Sequence, residues 1–413
     1  MSRRTLGEIL APLAASFVVL ALAGLAQAQP VRLGAMGDSL SDEYLEETYG
    51  SYARNWPMLL ASARGVNFGP TAAQAGQPGN TWGEPRRTQN RFNFARYGAD
   101  SASLLSSGQH TGLAALAQSG DITHAVIAIG QNDFAPALFS GAYWNIYQGT
   151  WSTATINAYV ASRVANITLA ADTAINAGAR VMVSGIVDYG VSPLTRSFFT
   201  NVTRRNNVTA VINQVNTQVR NFAQQRRIVY LDLPALGTAI FGTNSALRST
   251  ILVGGVTINL NQSNTAANGR PAAAFVDDSV HPMTTLQGAF ANVVAAGLTV
   301  GYGAGVAPLS DQEIIARTPG LTYGSETLEA QLGRPYAGFV ADFTCKADFD
   351  GSGFADSDDF ILFVDHFERG CTAVGFSIAG PDTNCTRAAD TDLSGFVDSD
   401  DFIVFSAQFD AGC

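Results

Sequence analysis

The first 342 residues contain no cysteine, and all four, Cys345, Cys371, Cys385 and Cys413, lie beyond them. Any disulfide framework therefore belongs to the C-terminal end. The C-x-x-C spacing of zinc sites is missing there too, which leaves zinc as the weaker reading of the four. There is no basic stripe of the kind that tracks a phosphate backbone, so nucleic acid is excluded as a partner. The one long apolar run, near the N-terminus, has fourteen residues, too few to span a bilayer comfortably, and no other segment looks transmembrane. Histidine is scarce, with four in 413 residues. Charge is low at 14% and hydrophobic content high at 46%, which excludes a disordered chain and allows a sizeable core.

What is present divides unevenly along the chain. Residues 1–28 read as a signal peptide: Arg3 and Arg4 are basic, Leu13–Ala26 is uncharged and mostly apolar, and Ala26-Gln27-Ala28 offers an A-x-A cleavage site. The alternative is an uncleaved anchor. A secreted, periplasmic or cell-surface protein with no transmembrane anchor in the mature chain is expected. Residues 343–413 hold 14 Asp and Glu against 3 Lys and Arg, a net −11 in a chain of −10. The acidity is a property of that one segment, which either repels partners or holds cations.

Between these ends, residues 29–316 alternate strand-like and helix-like stretches. Val31–Met36, Ala125–Ile129, Arg180–Val187 and Ile228–Leu233 are short apolar runs of the kind buried in parallel sheets. Trp56, Leu59, Leu60 and Ala63 share a helical face; so do Ile156, Tyr159, Val160, Val164 and Ile167, and again Val208, Val211, Ile212, Val215, Val219 and Phe222. Met283–Val300 reads as a closing helix. The pattern predicts an α/β domain with a parallel sheet covered on both faces. Residues 317–342 are richer in Gly, Pro and polar residues and read as a linker or domain edge.

Four short segments carry chemistry. Gly37-Asp38-Ser39-Leu40-Ser41 follows the first strand, placing a serine at the carboxyl edge of the sheet, where open α/β sheets build their sites. Asn93-Phe94-Ala95-Arg96-Tyr97-Gly98-Ala99 and Gly130-Gln131-Asn132-Asp133 supply a glycine N–H and an asparagine amide, the donor types an oxyanion needs. Asp278-Ser279-Val280-His281 supplies a base and a carboxylate to orient it. Singly, each has a plainer reading: a helix cap for Ser39, turn residues for Gly98, Asn132 and Asp133, a loop histidine for His281. The other histidines lack such context; His124 reads as a loop or strand-edge residue and His366 as part of a later helix. In this order the four segments resemble the four blocks of the GDSL or SGNH hydrolase family over roughly Val31 to Val300. The resemblance implies a flavodoxin-like three-layer α/β/α domain and an esterase or lipase. It also implies Ser39 as nucleophile, His281 as base, Asp278 as triad acid, Gly98 and Asn132 as oxyanion donors, and no cofactor for catalysis.

Phe134, Phe139, Tyr143, Trp144, Tyr147 and Trp151 follow Asn132 closely. They read equally as a wall for an acyl chain or sugar ring and as ordinary packing.

The acidic end contains a repeat. Asp348, Asp350, Ser352, Asp356 and Asp359, with Gly353, are matched by Asp390, Asp392, Ser394, Asp398 and Asp401, with Gly395. Oxygen side chains at loop positions one, three, five, nine and twelve with glycine at six is the spacing of an EF-hand calcium loop. A loop with only a following helix, in tandem, resembles the dockerin family, which implies a small EF-hand-like module at 343–413, calcium as a structural cofactor and a cohesin-like or cell-surface partner. The copies stand farther apart than the dockerin pattern, and the intervening cysteines are foreign to it. Of three possible cysteine pairings, Cys345–Cys371 with Cys385–Cys413 is favoured because each pair brackets one repeat. The expected protein is thus a secreted serine esterase acting on lipid, short-acyl or acetylated carbohydrate esters. The alternative is a non-catalytic adhesion or scaffold protein that works through its calcium module.

Overall fold

A computed structural model describes residues 31–265, 269–349, 355–368, 376–377, 380–381, 389, 391 and 397–411. The expected signal peptide, the middle of both loops and three of the cysteines lie outside them. Four strands, β1 (Leu33–Gly37), β2 (His124–Ala128), β3 (Arg180–Ser184) and β4 (Val229–Leu231), pair in parallel in that order, and β5 (Val340–Asp342) adds antiparallel to β4. Residues 317–342 therefore end in a strand of the main sheet. His124 opens β2 and is buried.

Successive side chains of a strand face opposite ways, and the two faces collect different helices. Leu33, Ala35, Val126, Met182, Val229 and Leu231 share a core with α1 (Trp56–Arg64), while Met36, Ala125, Ile127, Val181, Val183 and Tyr230 belong to the other core. That second face is covered by α2 (Ser101–Ser106), α3 (Gln109–Gln118), α4 (Thr153–Asn176) and α5 (Val202–Gln225). The first is completed by α6 (Leu233–Phe241) and α7 (Thr284–Tyr302). Both faces are wrapped, so the strand interiors are near-continuously apolar, with polar residues only at strand ends such as His124, Arg180 and Ser184. The free side of β1 is closed without a regular strand. Leu33 N donates to Asn67 O at 2.9 Å, Ala35 N to Phe92 O at 3.0 Å, and Arg96 N to Gly37 O at 3.0 Å. The segment around Asn93 is thereby stitched alongside the strand that leads to Ser39.

The aromatic run after Asn132 goes into the second core, apart from Phe139, which is exposed and packs on Trp144. Phe134 and Tyr143 are fully buried, and Tyr143, Trp144 and Tyr147 surround Phe199 at centroid distances of 4.7, 6.2 and 5.0 Å. These residues pack an insertion onto the sheet; none lines the cavity beside the site.

At the acidic end, α8 (Ser357–Glu368) and α9 (Ser399–Ala411) meet through Phe363 and Phe405, whose rings stack 4.0 Å apart. Asp359 Oδ2 accepts from Asp356 N at 2.9 Å and Asp401 Oδ2 from Asp398 N at 2.8 Å. Asp358 N and Asp400 N donate back to Asp356 and Asp398 at 2.9 Å each. Each helix start is closed by carboxylates on its free N–H groups, a stabilising arrangement. Lys346, the only lysine in the chain, sits where this segment meets the sheet domain. Its Nζ donates to Val300 O (2.9 Å) and Gly301 O (2.6 Å) at the carboxyl end of α7 and pairs with Asp342 at 3.0 Å. Of the four cysteines only Cys345 is among the described residues, where it is not a free thiol; the expected pairings fall on residues outside them. No helix of the described residues is long and apolar enough to cross a membrane.

Candidate active site

Every sequence-predicted residue of the hydrolase set sits at the carboxyl ends of the strands. β1 ends at Gly37, whose missing Cβ would fall 2.2 Å from Ala128 O; only glycine lets the two strands close here. The chain then turns sharply. Asp38 O accepts from Ser41 N (3.0 Å) and Asp42 N (2.9 Å), and Asp38 Oδ1 from Leu40 N (3.0 Å). Ser39 is held at the apex, 4% exposed.

His281 reaches that apex from the loop before α7. Its Nε2 lies 2.6 Å from Ser39 Oγ, and its Nδ1 is hydrogen-bonded to Asp278 Oδ2. Asp278 Oδ1 accepts from Val280 N (2.8 Å) and His281 N (2.9 Å), so the carboxylate is fixed by the loop it orients. Burial pushes the Asp278 carboxyl up, but the bonds and charge of His281 and the two backbone N–H groups outweigh it and hold it below its ordinary value.

Three donors face the problem of an oxyanion. Gly98 has φ +76°, a left-handed conformation that favours glycine. The backbone N–H groups of Ser39 and Gly98 make no hydrogen bond among the described residues. Asn132 Nδ2 donates one hydrogen to Ala99 O at 2.9 Å, which locks the amide and leaves its second N–H free. Asp133, beside it, is buried and takes Ser101 N (2.9 Å), Ser101 Oγ (3.0 Å) and Arg163 (2.7 Å), anchoring the turn to α2 and α4.

Several participants had no role assigned from the sequence, and two of them, Tyr44 and Tyr49, lie outside all four segments. Tyr49 stacks on His281 at 5.8 Å, Tyr97 tilts over it at 5.5 Å and Tyr44 meets it edge-on at 6.3 Å. Tyr44 donates to Pro282 O and accepts from Gln287; Tyr97 N is held by Asp42 Oδ2 at 2.6 Å. Asn93 ties the second block to the first by donating to Ser41 O at 2.8 Å. Tyr44 and Tyr49 lie in short 3₁₀ turns, which have no periodicity to read. Asp38, fully buried, has an Oδ2 without a partner, and burial pushes its carboxyl up to about 7 against the pull of Leu40 N–H and His281.

The calcium-loop residues divide. Asp348, Asp356, Asp359, Asp398 and Asp401 are described, whereas Asp350, Ser352, Asp390, Asp392 and Ser394 are not. Among the described residues no group of three His, Cys, Asp or Glu could hold a metal ion.

The GDSL-like Lipase/Acylhydrolase family profile matches residues 33–294, which takes in all four site segments and stops short of the acidic repeat. Among solved structures, a GDSL-like lipase from Bacteroides thetaiotaomicron is 15% identical over 63% of this chain and 86% of its own, with a TM-score of 0.33. TesA is 19% identical over 62% of this chain and 91% of its own, with a TM-score of 0.31. No curated protein matches.

Proposed function

We propose, for a chain that belongs to the GDSL-like lipase/acylhydrolase family and hydrolyses ester bonds, that Ser39 is the nucleophile of a serine esterase. The observation that carries this is the 2.6 Å contact between Ser39 Oγ and His281 Nε2, groups 242 residues apart in sequence. Ser39 Oγ attacks the ester carbonyl carbon while its proton passes to Nε2. The carbonyl electron pair moves onto oxygen, and that oxyanion takes hydrogen bonds from Ser39 N, Gly98 N and the spare Asn132 N–H. Collapse breaks the bond to the alkoxy oxygen, which leaves with the proton from His281. Water, deprotonated by His281, then attacks the acyl-enzyme; the acid departs and Ser39 regains its proton. Asp278 holds Nδ1 protonated, and Tyr49 and Tyr97 lie over the ring with π faces toward the imidazolium while Tyr44 confines it edge-on. The test is hydrolysis of p-nitrophenyl acetate by the parent and by Ser39→Ala. The variant should lose several orders of magnitude in kcat while keeping its melting temperature; activity within tenfold of the parent refutes the assignment.

The remaining expectations rest on sequence. Export of the mature chain is supported by the signal-like start of residues 1–28. Calcium at the repeat is supported by the duplicated spacing, with Asp348, Asp356 and Asp359, or Asp398 and Asp401, as the described members of each set. Its role there is stability or attachment, not catalysis. A cohesin-like partner has no support beyond the resemblance. The scaffold alternative requires an idle site, and the assembled Ser39–His281–Asp278 chain argues against it.

A further inference from the structure

The loop that carries His281 is the tip of a hairpin. A short strand, Ala273–Phe275, forms its first arm, and the chain returns after His281. Val276 N donates to His281 O at 2.9 Å and Met283 N to Ala274 O at 2.8 Å, and Phe275 bridges Pro282. At the tip, Ser279 has φ +64°. Glycine takes this left-handed conformation freely, whereas the Cβ of a serine crowds the neighbouring carbonyl. The triad needs the turn all the same. It follows Asp278 at once and swings the N–H groups of Val280 and His281 onto one oxygen of the Asp278 carboxylate, so that the other oxygen faces His281 Nδ1. A residue held in such a conformation stays there only where its surroundings enforce it.

Two contacts enforce it here. Ser279 Oγ lies 2.7 Å from Ser263 Oγ, and Ser279 O receives Leu194 N in a long bond of 3.5 Å. Ser263 ends a strand, Val256–Ser263, that runs antiparallel to Thr250–Val253 and parallel to Ala273–Phe275, where it pairs with Phe275. Ile251, Val253, Ile258, Leu260 and Phe275 of this small sheet are buried in the first core. The Ser263 hydroxyl is thus anchored to the body of the domain, and the tip of the hairpin is tied to it.

We propose that Ser263 is a positioning residue: through Ser279 it holds the left-handed turn that aims the Asp278 carboxylate at His281. This rests on the serine esterase reading of the same site. The role explains why serine stands at 279, since glycine would fit the backbone and bring no hydroxyl. Without the tie the turn relaxes, the two N–H groups leave the carboxylate, and the imidazole loses its fixed orientation. Ester binding does not depend on that orientation, so the loss falls on kcat.

The test measures kcat and KM of the full chain on p-nitrophenyl acetate, with thermal melts alongside. Ser263→Ala and Ser279→Gly should each lower kcat about tenfold through misorientation of the base and leave KM within twofold. The double variant should be no slower than the slower single one, because both substitutions remove the same contact. Ser263→Thr keeps a hydroxyl on a residue suited to a strand and should stay within threefold of the parent. Ser279→Gly should melt no lower than the parent, because it relieves the turn; a loss of rate without a loss of stability separates positioning from support of the fold. Either single variant decides the matter if the other fails to fold. Parent-like kcat in the folded variants, losses that multiply in the double variant, a Ser263→Thr variant as slow as Ser263→Ala, or a kcat that falls only in step with melting temperature overturns the proposal. Failure of the esterase reading itself would instead show as acetate hydrolysis that survives Ser39→Ala.

Discussion

The two motif-bearing regions of this chain reach order by opposite routes. In the sheet domain, Ser39, Gly98, Asn132 and Asp278 with His281 are scattered over 242 residues and meet only because β1, β2 and the entry to α7 end at one edge. In the acidic repeat, each set of carboxylates lies within twelve consecutive residues. Convergence of distant residues is an independent check on a motif, since the fold had to bring them together. A local motif is not checked in this way: acidic residues before a helix also serve as caps, and Asp356, Asp359, Asp398 and Asp401 do so here. The same letters thus weigh differently in the two regions.

The largest effect expected is in the convergent region. His281→Ala should lower kcat by three orders of magnitude or more, and Asp278→Asn by about 10²–10⁴, without loss of fold, measured by initial rates beside thermal melts. Retained activity in both would place the region on a par with the repeat, a motif without a mechanism. Next comes Asn132→Ala, which should cost about 10²–10³ in kcat with little change in KM, as for a donor used in the transition state. An effect confined to KM reassigns Asn132 to substrate binding.

The repeat should respond in stability alone. Asp359→Ala with Asp401→Ala removes the closure of both helix starts and should lower the melting temperature of the segment by several degrees, leaving kcat within twofold. Addition of calcium should raise that temperature in the parent and not in the double variant. Calcium-dependent kcat in the parent would break the separation between the two regions.

The smallest effect concerns pH. Burial pushes Asp38 and Glu43 each up to about 7, while the unfolded chain releases both protons near pH 4. Stability from these groups is complete below about pH 4 and is lost as pH rises toward 7, because the folded state keeps protons that the unfolded state sheds. Asp38→Asn should therefore show a shallower fall of melting temperature between pH 5 and 7 than the parent. Parallel curves would mean that Asp38 is ionised in the fold.

The strands and the long helices were legible because burial on two faces writes continuous apolar runs, and one-sided burial writes a 3.6-residue period. Gly37, Ser39, Asn132 and His281 were legible because their spacing and flanking strands carry the pattern. The tie between Ser263 and Ser279 was not. Serines serve many turns, and sixteen residues without a shared period separate these two, so no pattern joins them. The aromatic run after Asn132 was ambiguous because packing and substrate contact use the same side chains; only Phe199, distant in sequence, decides it. The outer edge of β1 was hidden because isolated backbone bonds at Asn67 and Phe92 leave no trace in side-chain pattern.

The central claim is that a preassembled His281 makes Ser39 the one serine of this chain able to attack an ester carbon. A fluorophosphonate probe, followed by peptide mass spectrometry, tests it directly. The parent should carry one label, on Ser39, and His281→Ala should label at least a hundredfold more slowly. A folded parent that takes no label, or takes it on another serine, contradicts the account.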